Sequence, residues 1–206
     1  VINTNVDVLL SNKDENVEKQ SKWLYYIKSE VDRMSKLIND LLYLARLDDN
    51  RDVIYSVLDL SKVVEDVIMK MEALIFENNI ALHYDVDSGI TVHGNKEQME
   101  QVVMIFLDNA IKYSGSKGEI NLSLKKNNKN AVLSVTNTGE GIPPECIERI
   151  FDRFYRGDKS RARSSGGHGL GLSIAKTIVE QHKGKIYAKS EVNKYTTFYV
   201  ELPLDK

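Results

Sequence analysis

The segment Phe106-Leu-Asp-Asn-Ala-Ile-Lys-Tyr-Ser114 is predicted to lie on a helix that carries three polar groups on one face. Its Asn109, Lys112 and Tyr113 occupy positions i, i+3 and i+4, which are neighbours on a helix surface. An amide oxygen suits Mg²⁺, which keeps several waters and takes other ligands from phosphates. The ammonium group of Lys112 can pair with a phosphate, and the ring of Tyr113 can pack on a base. This face offers the parts of a nucleotide site, although such a set alone is usually ordinary surface.

Two glycine-rich segments follow, Asn137-Thr-Gly-Glu-Gly-Ile-Pro143 and Gly166-Gly-His-Gly-Leu-Gly-Leu172. Glycine allows close backbone approach and positive φ, and consecutive N–H groups in such places form anion-binding concavities. The second segment also opens a predicted helix, whose N-terminus favours phosphate. Between the two lies Phe151-Asp-Arg-Phe-Tyr-Arg-Gly157. Each segment alone is more often a turn, but their order together with Phe106–Ser114 favours a nucleotide site.

The pattern around these segments alternates between helix and strand. Asp59-Leu60-Ser61 offers a cap for a helix that runs to Ile75, and helices are predicted at residues 96–113 and 170–182. Strands are predicted at residues 80–86, 90–93, 119–126, 131–136, 185–190 and 195–202. Residues 152–167 are charged, rich in Ser and Gly, and predicted to be a mobile loop. Helices with a mostly antiparallel sheet indicate an α/β fold, an α+β two-layer sandwich.

The N-terminal part of the chain shows helical heptads instead. Its seam consists of Val17, Leu24, Ile27, Val31, Met34, Ile38, Leu41 and Ala45. Further apolar residues widen the seam, which favours a four-helix bundle over a two-stranded coil. A shorter helix with Ile2, Val6 and Leu9 precedes it, so residues 1–48 are predicted to form a helical hairpin. Two hairpins would complete a bundle as a homodimer.

Composition excludes several classes of protein. The formal net charge of −2 over 206 residues gives no basic footprint for nucleic acid. The one cysteine, Cys146, cannot form an intrachain disulfide. The longest apolar run is about six residues, too short to span a membrane. The chain opens on Val1-Ile2 without a starting Met, as an excised fragment would. These features are typical of a cytoplasmic fragment, and any membrane anchor of its parent could lie in segments missing here.

The order of the motifs resembles the N box, first glycine box, F box and second glycine box of bacterial sensor histidine kinases. Their ATP-binding domains have the Bergerat (GHKL) ATPase fold. The stretch from Glu30 to Asp48 resembles the second helix of the dimerisation and phosphotransfer hairpin, and Val1-Ile2-Asn3 resembles the stretch just beyond the acceptor-histidine box. The resemblance implies two domains. Residues 1–50 would be a truncated hairpin without the phosphoacceptor histidine, and residues 51–206 the ATP-binding catalytic domain.

The resemblance also implies the reaction. Such a kinase binds Mg-ATP, transfers the γ-phosphoryl group to a histidine, and relays it to an aspartate of a response regulator receiver domain in two-component signalling. The four histidines of this chain are His83, His93, His168 and His182. None lies in a context like the acceptor box, so the fragment is expected not to autophosphorylate. His83 and His93, in or beside predicted strands, are interpreted as ordinary, partly exposed side chains, and His182 as a cation favoured by a helix C-terminus.

Roles in the site follow from the same resemblance. Asn109 resembles the Mg²⁺ ligand, Lys112 a phosphate contact, and Tyr113 the wall beside adenine and ribose. Asn137 stands where the family usually has an Asp that binds the adenine amino group, and Thr196 resembles a threonine that supports this contact. The remaining pocket residues are Gly139 and Gly141, which shape it, and Ile142, which lies against the base.

The F box and second glycine box contribute the phosphate end. Arg153, Phe154 and Arg156 fall where basic side chains reach phosphates. His168 is either a phosphate contact or a filler of the lid. The other residues implied are Gly167, Gly169 and Gly171, which hinge the lid, and Leu170 and Leu172, which line the site.

Three departures from the family pattern stand out. Ile105 replaces a first N-box Asn, Asn137 replaces the Asp, and the turn at Asn193-Lys194-Tyr195 lacks the usual glycines. Because the NH₂ of Asn137 can donate to a guanine carbonyl, we predict weaker discrimination between ATP and GTP than an Asp would give. Two alternatives stay open. One is another ATPase of this fold, such as a chaperone, a gyrase or an anti-sigma serine kinase; the other is a dimeric nucleotide-sensing module without catalytic output.

Overall fold

The computed structural model describes residues 1–12, 16–49, 53–115, 117–156 and 168–205. The chain divides into two compact units, Val1–Arg46 and Leu47–Lys206. Its elements in order are α1 Ile2–Ser11, α2 Val17–Asp49, β1 Ser56–Asp59, α3 Leu60–Glu77, β2 Ala81–Val86, β3 Thr91–Gly94, α4 Lys96–Tyr113, β4 Glu119–Asn127, β5 Asn130–Thr138, α5 Pro144–Ile147, α6 Gly171–Gln181, β6 Lys185–Glu191 and β7 Tyr195–Pro203. Of the helices described, none has the length and apolar character needed to cross a membrane.

The first unit is the predicted pair of helices. The heptad pattern predicted one long helix, and α2 confirms it with 33 residues. The apolar positions of the seam stay open to solvent on the single chain. They are Val17, Leu24, Val31, Met34, Ile38 and Leu41, each more than two-fifths exposed. The predicted turn before α2 includes residues 13–15, which lie outside the described residues.

The second unit is built on a five-stranded mixed sheet in the order β2-β4-β5-β7-β6. All neighbours are antiparallel except β2 and β4, which are parallel. One face is apolar because alternate residues point to the same side; Leu133 on β5, for example, lies opposite Val200 on β7, and both are buried. Helices α3, α4 and α6 carry the other half of the core, which includes Val64, Val67, Phe106, Ile174 and Ile178. The predicted two-layer sandwich is confirmed.

The ends of the elements depend on caps. Asp59 accepts a hydrogen bond from the backbone N–H of Lys62 at 3.1 Å, which confirms the predicted cap of α3. Strand β1 was not predicted; it pairs with β3 as a separate two-stranded sheet. Its sequence, Ser-Val-Leu-Asp, does not alternate polar and apolar residues, and only Leu58 is buried.

His182 corrects one expectation. The sequence suggested a cation at the end of a helix, but the imidazole is buried and neutral. Its Nδ1 donates to the carbonyl of Ile178 at 2.8 Å, and its Nε2 accepts from the backbone N–H of Asn95 at 3.0 Å. Burial lowers the pKa of His182 below its ordinary value of 6.5. His182 is therefore a packed residue that joins the end of α6 to the start of α4.

Candidate nucleotide-binding site

Helix α4 presents the first set of predicted site residues near its C-terminal end. The side-chain amide of Asn109 donates from Nδ2 to the carbonyl of Ile105 at 2.7 Å. This bond orients the amide and leaves Oδ1 as the oxygen available to a ligand. One turn further along, the Lys112 ammonium lies 5.2 Å from the ring centroid of Tyr113. The Tyr113 ring is 52% exposed, so it offers an open aromatic surface beside the cation.

The first glycine segment packs against the end of this helix. Gly139 has a φ of 145°, and a Cβ there would overlap the carbonyl oxygen of Tyr113. Gly141 has a φ of 72°, and a Cβ there would overlap the carbonyl oxygen of Glu191. Two backbone hydrogen bonds join the same segment to the turn between β6 and β7, from Gly139 to Lys194 at 3.2 Å and from Asn193 to Glu140 at 2.7 Å. The glycines are required here because both approaches are to backbone.

Asn137 and Thr196 form a buried polar pair beside this loop. They are register partners on β5 and β7, and they are 3% and 5% exposed. The Nδ2 of Asn137 donates to the carbonyl of Thr138 at 2.8 Å. The Oγ1 of Thr196 lies 2.8 Å from the Oγ of Ser190. The predicted base-binding residues therefore lie side by side on neighbouring strands.

Ser190 is a site residue that sequence reasoning missed. Its Oγ accepts from the backbone N–H of Ile142 at 2.8 Å and donates to the carbonyl of Tyr195 at 2.7 Å. It therefore ties the first glycine segment to strand β7. The register of β6 against β7, which sets Ser190 opposite Thr196, is the signal that could have indicated it.

The F box and the second glycine segment meet through their backbones. The N–H of Phe154 donates to the carbonyl of Gly169 at 2.9 Å. Gly169 has a φ of 72°, and a Cβ there would lie 2.7 Å from the carbonyl oxygen of Tyr155. Arg156 and His168 are half-buried beside this junction. Gly167 and the rest of residues 157–167 lie outside the described part of the chain.

Helix α6 begins against helix α4. Leu170 precedes it and is buried, and Leu172 is half-buried in its first turn. A Cβ on Gly171 would lie 3.5 Å from the side chain of Ile105, one turn before Asn109 on α4. The first N–H groups of α6 have no helical partner. This helix N-terminus, which favours anions, is therefore anchored beside the Asn109 segment.

Other predicted residues have different surroundings. The guanidinium group of Arg153 bonds Asp48 at the end of α2, with Nη2 3.1 Å from Oδ1. A hydrogen bond to Cys146 raises the pKa of Tyr155, whose ring also lies 4.5 Å from the guanidinium carbon of Arg149.

Within the residues described, no group of three or more His, Cys, Asp or Glu side chains could hold a metal. A cation at this site would therefore depend on Asn109, phosphates and water.

Two family models match the chain. Residues 94–206 match the family described as histidine kinase-, DNA gyrase B-, and HSP90-like ATPase. Residues 1–50 match the His Kinase A (phospho-acceptor) domain. The first match covers the glycine segments and helix α4, and the second covers the two helices of the first unit.

Curated relatives match most of this chain. The sensor protein DltS of Streptococcus agalactiae serotype III (strain NEM316) is 38% identical over 205 residues, which are 99% of this chain and 50% of the relative. The signal transduction histidine-protein kinase ArlS of Staphylococcus epidermidis (strain ATCC 12228) is 39% identical over 180 residues, 85% of this chain and 38% of the relative. The chain thus spans about half the length of the curated relatives or less.

Solved structures of histidine kinases share the fold. The catalytic domain of ThkA is 28% identical, with a TM-score of 0.65, over 73% of this chain and 95% of that one. Full-length ShkA in complex with AMPPNP has a TM-score of 0.76 at 24% identity, over 91% of this chain and 39% of that one. ThkA in complex with the response regulator protein TrrA has a TM-score of 0.77 at 23% identity, over 99% and 59%.

The matches agree with the geometry of the site. Both glycine segments that the ATPase family model covers pack against helix α4, and the helices that precede them match the phospho-acceptor domain. The chain belongs to the histidine kinase-, DNA gyrase B- and HSP90-like ATPase family, and it carries the domain pair of the sensor histidine kinases.

Proposed function

We propose that this chain binds Mg-ATP between helices α4 and α6 and donates the γ-phosphoryl group to a histidine of a sensor kinase. The observation that carries the proposal is the packing of both glycine segments against one helix. Gly139 meets the carbonyl of Tyr113, and Gly171 meets the side chain of Ile105. The first glycine segment adjoins the buried polar pair Asn137 and Thr196, and the second opens the N-terminus of α6, so that one helix carries groups suited to a base and groups suited to its phosphates.

The base end and the phosphate end differ in chemistry. Asn137 and Thr196 are buried polar groups, and Tyr113, whose side chain is exposed, ends the helix that meets the same glycine segment, a combination that suits a planar base with polar edges. Gly169 and Gly171 lie at the start of α6, where backbone N–H groups suit phosphates. Full-length ShkA, which shares this fold over 39% of its chain, was solved in complex with AMPPNP, and this supports ATP as the ligand.

Magnesium fits the donor set. Asn109 offers one neutral oxygen, fixed by the hydrogen bond to Ile105, and Mg²⁺ commonly takes few protein ligands, with phosphates and waters completing its shell. Ile105 adds no polar atom. Bound there, the ion would neutralise phosphate charge during transfer.

The chemistry is phosphoryl transfer from ATP to a histidine nitrogen, with ADP as the product, and then to an aspartate of a response regulator. The protein's part in such a reaction is positioning and electrostatic stabilisation. The complex of ThkA with TrrA supports a receiver domain as the partner. The acceptor histidine is proposed to lie outside these residues. His182 is buried and neutral, and His83 and His93 lie on strands β2 and β3.

The first unit would supply the dimer. We assign residues 1–50 to the phosphotransfer hairpin and residues 51–206 to the catalytic domain, as the motifs predict. The exposed apolar seam of α2 is a surface that a second copy would cover, and the match to the phospho-acceptor domain supports this assignment. The resemblance also favours attachment of the parent protein to the cell membrane through other segments.

The experiment for nucleotide binding is calorimetric titration of the chain with AMPPNP, with and without Mg²⁺. We expect saturable binding that Mg²⁺ strengthens. Asn109→Ala should abolish the Mg²⁺ effect. The matched control Asn121→Ala, on the exposed side of β4, should leave it intact. No binding by the wild-type chain would contradict the proposal.

A nucleotide-sensing module without catalytic output is the second candidate, favoured by the substitutions at Ile105 and Asn137. Radiolabelled ATP separates the two. A longer version of the protein that includes the acceptor histidine should gain acid-labile phosphate, and its Asn109→Ala variant should not. Retained Mg-ATP binding without any label would favour the sensing module.

A further inference from the structure

The Oγ of Ser190 has three polar neighbours, which match its full hydrogen-bonding capacity. They are the N–H of Ile142 at 2.8 Å, the carbonyl of Tyr195 at 2.7 Å and the Oγ1 of Thr196 at 2.8 Å. A serine hydroxyl has one hydrogen to donate and two lone pairs to accept. The three contacts can all be hydrogen bonds at the same time only if one uses the hydroxyl hydrogen and the other two use one lone pair each.

The directions of the bonds follow. A backbone N–H can only donate and a carbonyl can only accept, so Ser190 accepts from Ile142 and donates to Tyr195. Its second lone pair then accepts the hydroxyl hydrogen of Thr196. The hydrogen of Thr196 is thereby turned toward Ser190, and its Oγ1 offers lone pairs to whatever lies on its other side.

Asn137 gives a second oriented acceptor. It is the register partner of Thr196 on the neighbouring strand, and both side chains are buried on the helix-covered side of the sheet. Since one hydrogen of Nδ2 goes to the carbonyl of Thr138, Oδ1 is left to accept. The pair therefore presents two acceptor oxygens against the one remaining amide hydrogen.

We propose that Ser190 is a positioning residue that fixes Thr196 Oγ1 as an acceptor beside Asn137 Oδ1, and that this acceptor pair selects a base with an exocyclic amino group. The inference rests on the proposed nucleotide function. An adenine amino group supplies two N–H donors to such a pair. A guanine carbonyl at the same place would face acceptors and leave buried groups without partners, which weakens binding.

Selectivity distinguishes this role from a purely structural one. Ser190 also holds the backbone of Ile142, so Ser190→Ala could loosen the glycine segment. Loosening alone would weaken adenine and guanine nucleotides to a similar degree. Without Ser190 Oγ, the Thr196 hydroxyl is no longer held in one orientation and can turn to donate to a guanine carbonyl. The ratio of the Kd values for guanine and adenine nucleotides therefore changes.

The test is titration of the wild-type chain and its variants with AMPPNP and GMPPNP in Mg²⁺. We expect Ser190→Ala to reduce the GMPPNP-to-AMPPNP ratio of Kd at least about fivefold, as the loss of one hydrogen bond allows. Thr196→Val should do the same, and the double variant should add little. Ser190→Thr, which keeps the hydroxyl and suits a strand, should retain the wild-type ratio.

Three results would contradict the inference. If the wild-type chain binds AMPPNP and Ser190→Ala leaves the ratio unchanged, the inference fails while the proposed function stands. If the wild-type chain binds neither nucleotide, the proposed function fails and the inference with it. A Ser190→Thr variant that behaves like Ser190→Ala would likewise exclude the hydroxyl as the cause.

Discussion

Arg153 Nη2 donates to both carboxylate oxygens of Asp48, at 3.1 Å from Oδ1 and 3.2 Å from Oδ2. Arg153 belongs to the F-box turn, and Asp48 to the last turn of α2. Both side chains are about half exposed, so the pair contributes roughly 0–1 kcal/mol to stability. The Asp48 carboxylate and a nucleotide phosphate would compete for the Arg153 guanidinium, because both are anions that it can bind.

Asp48→Asn should strengthen the binding of Mg-AMPPNP by about two- to fivefold at low salt, because Arg153 then loses a rival anion. Titration calorimetry measures the change. Asp85→Asn removes the same charge from a separate surface pair with Lys125 and serves as the control. Equal affinities of the two variants would contradict competition at Arg153.

Stability should fall as the pH is lowered through the range of histidine titration. The pKa of His182 is lowered by burial below the ordinary value of 6.5, so the unfolded chain binds a proton that the folded chain resists. The contribution of neutral His182 to the free energy of unfolding is complete above pH 6.5, and it is lost as the pH falls toward the pKa of His182 in the folded chain. Protonation would also break the bond that Nε2 accepts from Asn95.

Urea unfolding at pH 8 and at pH 5.5 measures this dependence. His182→Gln should flatten it, whatever its effect on absolute stability, and His83→Gln on the exposed side of β2 should not. A wild-type slope that survives in His182→Gln would assign the dependence to other groups.

Gly139→Ala should destabilise the catalytic unit by about 1–3 kcal/mol and weaken nucleotide binding. Its φ is 145°, and the new Cβ would overlap the carbonyl of Tyr113. Gly89→Ala is the matched control, since Gly89 also has positive φ but has open space around its Cβ position. We expect Gly89→Ala to cost about 1 kcal/mol of stability without changing the affinity for AMPPNP. Equal effects on binding would contradict the role of the close approach.

Asn137→Asp should sharpen the preference for ATP over GTP. A carboxylate only accepts, whereas the amide keeps one Nδ2 hydrogen that can donate to a guanine carbonyl. The ratio of Kd for GMPPNP and AMPPNP measures this. Discrimination by the wild-type chain equal to or better than that of Asn137→Asp would show the prediction to be wrong.

Much of the fold follows from sequence periodicity. The pattern predicted a helix over residues 96–113, and α4 has those bounds, because its apolar stripe is long and Asn95 caps it. Strand β1 escaped prediction because its sequence, Ser-Val-Leu-Asp, does not alternate polar and apolar residues. The strand forms through its pairing with β3, which is distant in sequence.

The chemistry of single residues is less predictable than the elements. The motif order identified Asn109 and both glycine segments, which the structure places along one helix. Burial and partners depend on tertiary neighbours, so the position of His182 at a helix end indicated a cation, whereas the structure buries the imidazole and bonds it to Asn95. Ser190 lies in a strand with no motif of its own. Its role becomes evident only from its pairing with Thr196 across the two strands and from the hydrogen bond that it accepts from the N–H of Ile142.

The most direct test of the central claim, that the three motif segments form one nucleotide site, is a backbone amide NMR titration of the chain with Mg-AMPPNP. We expect saturable shifts at the end of α4, in residues 137–142 and at the start of α6, all with one Kd. Shifts confined to other surfaces, or no shifts at concentrations of AMPPNP in the millimolar range, would contradict it.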